Sequence, residues 1–399
     1  MNRRALSLTA YLTYARGGAT ESFSLPPRPQ GPLVWGYAET PEQGRVLASL
    51  CSRLQASYPE VTCALSGDVP DRHDAIFLPT PPESVSDADR FAKALAPQVV
   101  LWAGQTLRPA LIEALHKNGS HLIALDATDR SWSSPAPRWL PDPTQATLSL
   151  FHSLYATGDA AARRLRRGGI ETGRIRTEGP LIDSDQPLPC DDKTYEEVAG
   201  HLAGRPIWLA AHLCPQEARD VIGAHRQAMR LAHRLLLVMV PHDDDHAAEI
   251  EAEARASQMR VCNWDIGETP DELTQILLAE SPDELGLWFR LAPLTFLGGS
   301  LVPDRGGHDP YQAAAMGTAI LYGPNVGRHV GAYSRLVDAG AARIVRDADS
   351  LSAAVTHLIA PDQAAAMAHA GWDLISSGAS LVDCVISEIM TTLDNRNTP

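Results

Sequence analysis

Short, unbroken apolar runs recur along the whole chain with helical stretches between them, and that rhythm admits few folds. PLVWGYA, VTCALSG, AIFLPT, QVVLWAG and HLIALDAT alternate with stretches such as GRVLASLCSRLQASY and RPALIEALHKNG. A strand covered on both faces needs a continuous apolar run, and intervening helices supply the crossovers of a parallel sheet. FHSLYATGDAAARRLRRGG and RIRTEGPLI complete this first half. A Pro- and Asp-rich linker, DSDQPLPCDD, runs from Asp183 to Asp192, after which the rhythm restarts with PIWLAAH, RLLLVMVP, RVCNWD, TQILLAE, LTFLGGS, TAILYGP and ARIVRD. A chain of 399 residues exceeds one ordinary core. The expected fold class is α/β: two Rossmann-like parallel-sheet domains, residues 1–185 and 193–399, facing each other across a cleft, with the last helix free to pack back on the N-terminal domain. Ligands of such sheets sit at the carboxyl ends of the strands.

The formal charge of -14 excludes a nucleic acid as the expected partner, because a polyanion needs a basic face. Arg163, Arg164, Arg166 and Arg167 form a local exception, read as a solvated helix face, with a lipid-headgroup or other anion contact as the alternative. Cys51, Cys63, Cys190, Cys214, Cys262 and Cys384 are scattered without metal-type spacing or a secretory signal, so reduced thiols, a cytoplasmic location and neither disulfide nor zinc are expected. HDDDH, residues 242 to 246, offers hard and borderline ligands but reads as a polar loop, and no metal is assigned. His225, His233 and His329 read as ordinary surface or core residues, and Cys214 lacks a recognisable nucleophile arrangement. No apolar run reaches the roughly 18 residues of a membrane span. The start, MNRRALSLTAYLTYARGG, fits either a helix lying on a membrane surface or a terminal helix packed on its own domain.

GGSLVPDRGGHDPYQAAAMGTAILYGP, residues 298 to 324, carries the densest chemistry. It reads as a strand end, a glycine-rich loop, a helix beginning at His308 and Asp309, and a second strand. Gly299, Gly306 and Gly307 let a backbone approach an anion closely, and a helix N-terminus beside a strand's carboxyl end suits a phosphate. The plain alternative is a strand-to-helix connection with Asp309 as the cap. No dinucleotide or P-loop glycine pattern appears, so those fingerprints are not supported.

This segment, preceded by DELGLWFRLAPLTFL and followed by YSRLVDAGAARIV, resembles the donor-binding half of the Kdo transferases, bacterial enzymes that move 3-deoxy-D-manno-octulosonic acid from CMP-Kdo to lipid A precursors. Fainter matches at GPLVWGYAETPEQGRVLASL, ATGDAAARRLRRGGI, PIWLAAHLCPQEARDVIGAHR and LLLVMVPHDDDH extend the resemblance over nearly the whole chain. It implies the GT-B fold and a glycosyltransferase that takes a nucleotide sugar as substrate, CMP-Kdo being one candidate, with no separate cofactor. The acceptor is then a lipid or a small molecule, reached by peripheral contact with the cytoplasmic face of the inner membrane. Donor-binding positions carried over from the family are His212, His242, Glu284, Gly286, Gly299, Ser300, Gly306, Gly307, His308, Asp309 and Gln312.

The chain departs from the family pattern at several of these. Gln43 aligns with the catalytic Glu, leaving Glu42 and Glu39 as candidates to take the acceptor's proton; both are equally at home as acidic residues at a helix start. His242 replaces an Arg directed at the nucleotide phosphate, and Gln312 replaces a ribose-binding Glu. These changes imply slower Kdo transfer than the family pattern supports. An inert paralogue that binds a nucleotide sugar or a partner protein, and a GT-B sugar epimerase, stay open as alternatives.

Overall fold

The computed structural model describes residues 3–16, 24–70, 74–128, 132–182, 188–202 and 204–397, so the first half of the linker, 183–187, lies outside the described residues. The chain divides into two compact units, one formed by Met1–Asp183 with Ser377–Pro399 and the other by Ser184–Ser376.

Unit 1 is built on β1 (Leu33–Ala38), β2 (Thr62–Gly67), β3 (Ile76–Phe77), β4 (Val99–Ala103), β5 (His121–Ala127), β6 (Ser153–Ala156) and β7 (Ile175–Thr177). The spatial order is β3-β2-β1-β4-β5-β6-β7, and every pairing is parallel. Unit 2 holds β8 (Ile207–Leu213), β9 (Leu236–Pro241), β10 (Val261–Asn263), β11 (Ile276–Leu278), β12 (Leu294–Leu297), β13 (Ala319–Tyr322) and β14 (Ala342–Ile344), ordered β10-β11-β9-β8-β12-β13-β14 and again parallel. This is the GT-B pair of Rossmann-like sheets. Strand order reverses between β1 and β4 in one sheet and between β8 and β12 in the other, and at such a point the crossovers leave opposite faces and open a crevice beyond the carboxyl ends.

Burial explains why the apolar runs are unbroken. All five residues of β4 are buried, and Trp35 on β1 donates its indole N–H to Ser66 on β2 at 2.9 Å inside the core. Edge strands are less covered: Ile76 and Phe77 of the two-residue β3 are both exposed, and β7 and β14 also carry exposed residues. Helix Arg3–Ala15 packs Leu8, Tyr11 and Ala15 inward, and Tyr11 reaches Glu83 at 3.2 Å. Helix Asp159–Arg167 buries Ala161, Ala162 and Leu165 and leaves its four arginines exposed, the solvated face expected of them.

The final helix runs without interruption from Pro361 to Asn397. It is long enough, and one stretch of it apolar enough on average, to cross a membrane by length and composition alone, although polar residues break up any continuous apolar run. Its second half is amphipathic instead: Leu381, Val385, Ile389 and Leu393, one helical turn apart, are buried in the same cluster as Val34, Leu65, Val99 and Ile123. Glu388 anchors that half to the sheet. Tyr155 donates to it at 2.7 Å, His121 lies at 2.9 Å, Ser153 donates its hydroxyl and Arg176 stands 3.7 Å away.

Burial alone would raise the Glu388 pKa, but the His121, Ser153 and Tyr155 contacts outweigh it and hold the carboxyl at about 2. A depressed carboxylate contributes stability that is complete above its unfolded pKa, near 4.5, and is lost as pH falls toward 2. Glu388→Gln is therefore expected to cost on the order of 2–3 kcal/mol at pH 7. Urea midpoints at pH 7 and pH 3 check this: the gap between wild type and variant should narrow at the lower pH, and a pH-independent gap would assign the loss to packing.

Candidate functional site

Three strands of unit 2 deliver histidines to one place. His212 lies near the carboxyl end of β8, His242 follows β9, and His308 stands in the glycine loop after β12. One ring nitrogen from each lies within 4.8 Å of the others. The His212 and His308 rings stack at 4.0 Å and 13°, while His242 tilts against His308 at 4.6 Å. Burial, then His242, lowers the His212 pKa to about 4, so its imidazole is neutral at physiological pH.

The glycine loop has an internal anion. Glu217, buried three residues beyond the cap of helix Pro215–Ala228, accepts backbone N–H bonds from Gly299 at 2.7 Å, Ser300 at 3.0 Å, Leu301 at 2.8 Å and Cys214 at 3.3 Å. The amides of Gly299 and Ser300 are therefore committed within the protein. Ser300 itself is fully buried, donating its hydroxyl to the Leu297 carbonyl and accepting from the Gly323 N–H at 2.8 Å, so it holds the loop to β13 instead of lining a pocket. Burial and Glu217 raise the Cys214 thiol to about 11, which leaves it protonated and unreactive at neutral pH.

Beyond these residues the loop folds back on itself. Gly307 donates to the Gly299 carbonyl at 2.9 Å with a backbone in the left-handed region (φ 63°), and a side chain there would crowd Val326. The following helix begins later than expected, at Tyr311, and spans only five residues. Pro310 caps it without a side-chain bond, and Asp309 turns its carboxylate back to the Tyr311 N–H at 3.0 Å. His308 and Asp309 thus belong to the loop. Gln312 is exposed on the helix, and Gly306 crosses close to Gly327. Arg305, which the sequence reading did not single out, is an exposed cation of the same loop whose β-carbon lies near Gly299.

Glu284 and Gly286 stand elsewhere on the same unit. Glu284 immediately precedes helix Leu285–Leu291; burial first, then Asp265, raises its pKa, while Trp264 hydrogen-bonds it. Gly286 has a packing reason to be glycine, since a β-carbon there would lie 2.3 Å from the Pro189 carbonyl oxygen.

In unit 1 the residues after β1 sit at the corresponding reversal of strand order. Glu39 accepts the N–H groups of Gln105 at 2.6 Å and Thr106 at 3.1 Å, together with the Thr106 hydroxyl, so it ties the end of β1 to the loop after β4. Gln43 is buried and doubly used. Its carbonyl accepts from the Glu39 and Thr40 N–H groups at 3.2 Å, forming a capping box with Thr40, and its amide donates to Asp126 at 3.2 Å. Glu42 lies half-buried in the first turn of helix Pro41–Ser57.

Sequence reasoning missed Glu217 and Asp126 as well as the meeting of the histidines. Glu217 had a local signal, an acidic residue three beyond the first residue after a strand, which is the spacing of a capping box. The resemblance assigned His212, His242 and His308 to one donor site, but nothing in their spacing indicated that their rings would meet, since the sheet alone brings them into contact.

The family model described as 3-deoxy-D-manno-octulosonic-acid transferase (kdotransferase) matches residues 20–182. The chain is 23% identical to the 3-deoxy-D-manno-octulosonic acid transferase of Haemophilus influenzae over 90% of its own length and 86% of that protein. Against the enzyme of the same name from Rickettsia felis it is 19% identical over 90% of its length and 78% of the relative. Among solved structures, Acinetobacter baumannii MurG superposes with a TM-score of 0.52 at 11% identity, covering 90% of this chain and 99% of that one, a likeness of fold alone. The relatives are transferases, so neither the inert-paralogue nor the epimerase alternative is favoured. The chain is a glycosyltransferase that is similar, at low identity and along most of its length, to the 3-deoxy-D-manno-octulosonic acid transferases.

Proposed function

We propose that the chain transfers Kdo, or a closely related sugar acid, from its CMP-activated form to a lipid acceptor at the cytoplasmic face of the inner membrane. The observation that carries this reading is the match to transferases of that name along 90% of the chain. The donor occupies the carboxyl edge of β8, β9 and β12, with Arg305 as the cation available to its phosphate, Gln312 as an uncharged partner for a ribose hydroxyl, and Gly306 and Gly307 giving close backbone approach. In the transfer the acceptor hydroxyl oxygen forms a bond to the anomeric carbon, the bond from that carbon to the CMP phosphate oxygen breaks, and Glu42 takes the hydroxyl proton.

A surface of unit 1 supports the lipid acceptor. Leu6, Tyr14 and Trp139 are 47%, 49% and 73% exposed, and Tyr14 and Trp139 meet edge to face at 5.7 Å. Arg16 and Arg138 are exposed next to them in sequence. Exposed aromatics flanked by cations suit the headgroup region of an anionic bilayer.

The test is a transfer assay with CMP-Kdo and a lipid A precursor presented in anionic vesicles, run on the wild type and on the Tyr14→Ser/Trp139→Ser variant. Product from the wild type, with slower transfer by the variant at sparse lipid, is expected. A rise in melting temperature with a different nucleotide sugar, and none with CMP-Kdo, would replace the donor; equal rates for both proteins would remove the membrane contact.

A further inference from the structure

We propose that His212, His242 and His308 hold one divalent transition-metal ion, of which Zn²⁺ is the expected occupant. The three nitrogens converge from three different strands or strand-end loops to within 4.8 Å of one another. Three imidazoles without a carboxylate form a borderline ligand set, suited to Zn²⁺, Co²⁺ or Ni²⁺ and poorly suited to Mg²⁺ or Ca²⁺, which take oxygen ligands. A three-histidine set leaves a fourth position for an exchangeable ligand, the arrangement of a catalytic zinc as opposed to a closed structural one.

Backbone geometry gives a second, independent reason. His212 has a φ of 52°, left-handed for a residue with a β-carbon, and the pairing of β8 with β9 slips between Ala210 and Leu213 around it. Backbone strain of this kind collects where a side chain must be aimed. Here the aimed ring is the one stacked on His308. Bonds of about 2.0–2.1 Å in tetrahedral geometry require nitrogens about 3.3 Å apart and lone pairs that converge in the ring planes, so loading draws the rings inward by up to about 1.5 Å and turns His212 and His308 out of their present 13° alignment. His242 is exposed, which leaves room for that closure and a path for the ion.

The inference rests on these residues and not on the donor reading. If the donor does bind at this edge, the open position is available to an oxygen of its phosphate, and the ion supplies positive charge where negative charge develops on the departing CMP.

Metal-stripped full-length protein, dialysed against Zn²⁺ and separately against Co²⁺ without any nucleotide sugar, provides the test. One equivalent of tightly held metal is expected, with Co²⁺ giving the intense visible bands of a tetrahedral nitrogen site. His242→Ala, at an exposed position, should weaken binding by at least about 100-fold with the melting temperature of the metal-free protein measured alongside. His116→Gln, in a separate histidine group of unit 1 where its ring lies 5.8 Å from that of His152, should leave uptake unchanged. Absence of stoichiometric uptake, or uptake undiminished in both His242→Ala and His308→Ala, would overturn the proposal. Because no donor is present, these outcomes are distinct from a failure of the transfer assay.

Discussion

Glu42→Gln is expected to lower the rate of glycosyl transfer by about 10²- to 10⁴-fold while leaving donor affinity and folding unchanged. The expectation comes from eliminating its neighbours. Gln43 cannot accept a proton from a hydroxyl in exchange for one it could later release, and both ends of its amide are already used, by the helix cap and by Asp126. Glu39 has its carboxylate engaged by two backbone N–H groups and a hydroxyl, so recruiting it would release the loop after β4. Glu42 is the other of the two candidate carboxylates after β1. Single-turnover rates for Glu42→Gln and Glu39→Gln, each with its melting temperature, separate the roles. A rate loss confined to Glu39→Gln with unchanged melting would move the base to Glu39. Gln43→Glu should not rescue transfer, because it sets a second carboxylate against buried Asp126 at the present 3.2 Å separation.

Glu217→Ala should produce the largest loss of stability. The substitution removes the acceptor of four N–H groups, at Cys214, Gly299, Ser300 and Leu301, in a site where Glu217 is 1% exposed and water cannot replace it. Orphaned buried donors cost about 1–3 kcal/mol each and do not add in full, so a total of roughly 3–5 kcal/mol is expected. For a unit of this size that corresponds to a fall in melting temperature of roughly 10 °C. Glu217→Gln keeps one carbonyl acceptor and should fall between. A shift of the alanine variant within about 2 °C of wild type, by calorimetry, would mean the loop finds other partners.

The central strands were legible in the sequence because parallel strands covered on both faces must be continuously apolar, as in QVVLWAG; the edge strands β3, β7 and β14, which carry exposed residues, were legible mainly from their place in the alternating rhythm. Glu39, Glu42, His212, His242 and the glycine loop were legible as positions, since ligands collect at strand ends, but their partners were not. What Glu217 would occupy depends on β8 lying next to β12, a neighbour relation between residues more than 80 apart. The helix start was misplaced by three residues because Asp309 and Pro310 resemble an ordinary cap, whereas Asp309 in the fold makes a tighter turn onto Tyr311. The contact among the three histidines was not legible for the same reason as Glu217: their positions were assigned to one site by resemblance, but spacing along the chain does not show which side chains from different strands touch.

The long terminal helix has a consequence for synthesis. Residues from Ser377 onward belong to the unit that begins the chain, and Ser184–Ser376 are made in between. At about 5–20 residues per second, that interval holds the first sheet without its covering helix for roughly ten to forty seconds on the ribosome. During this time Val34, Leu65, Val99 and Ile123, which Leu381, Val385 and Ile389 later cover, remain a nascent apolar surface. A chain released near residue 376 would keep that surface permanently, and so the codons for residues 377–399 decide whether the first-made unit loses it.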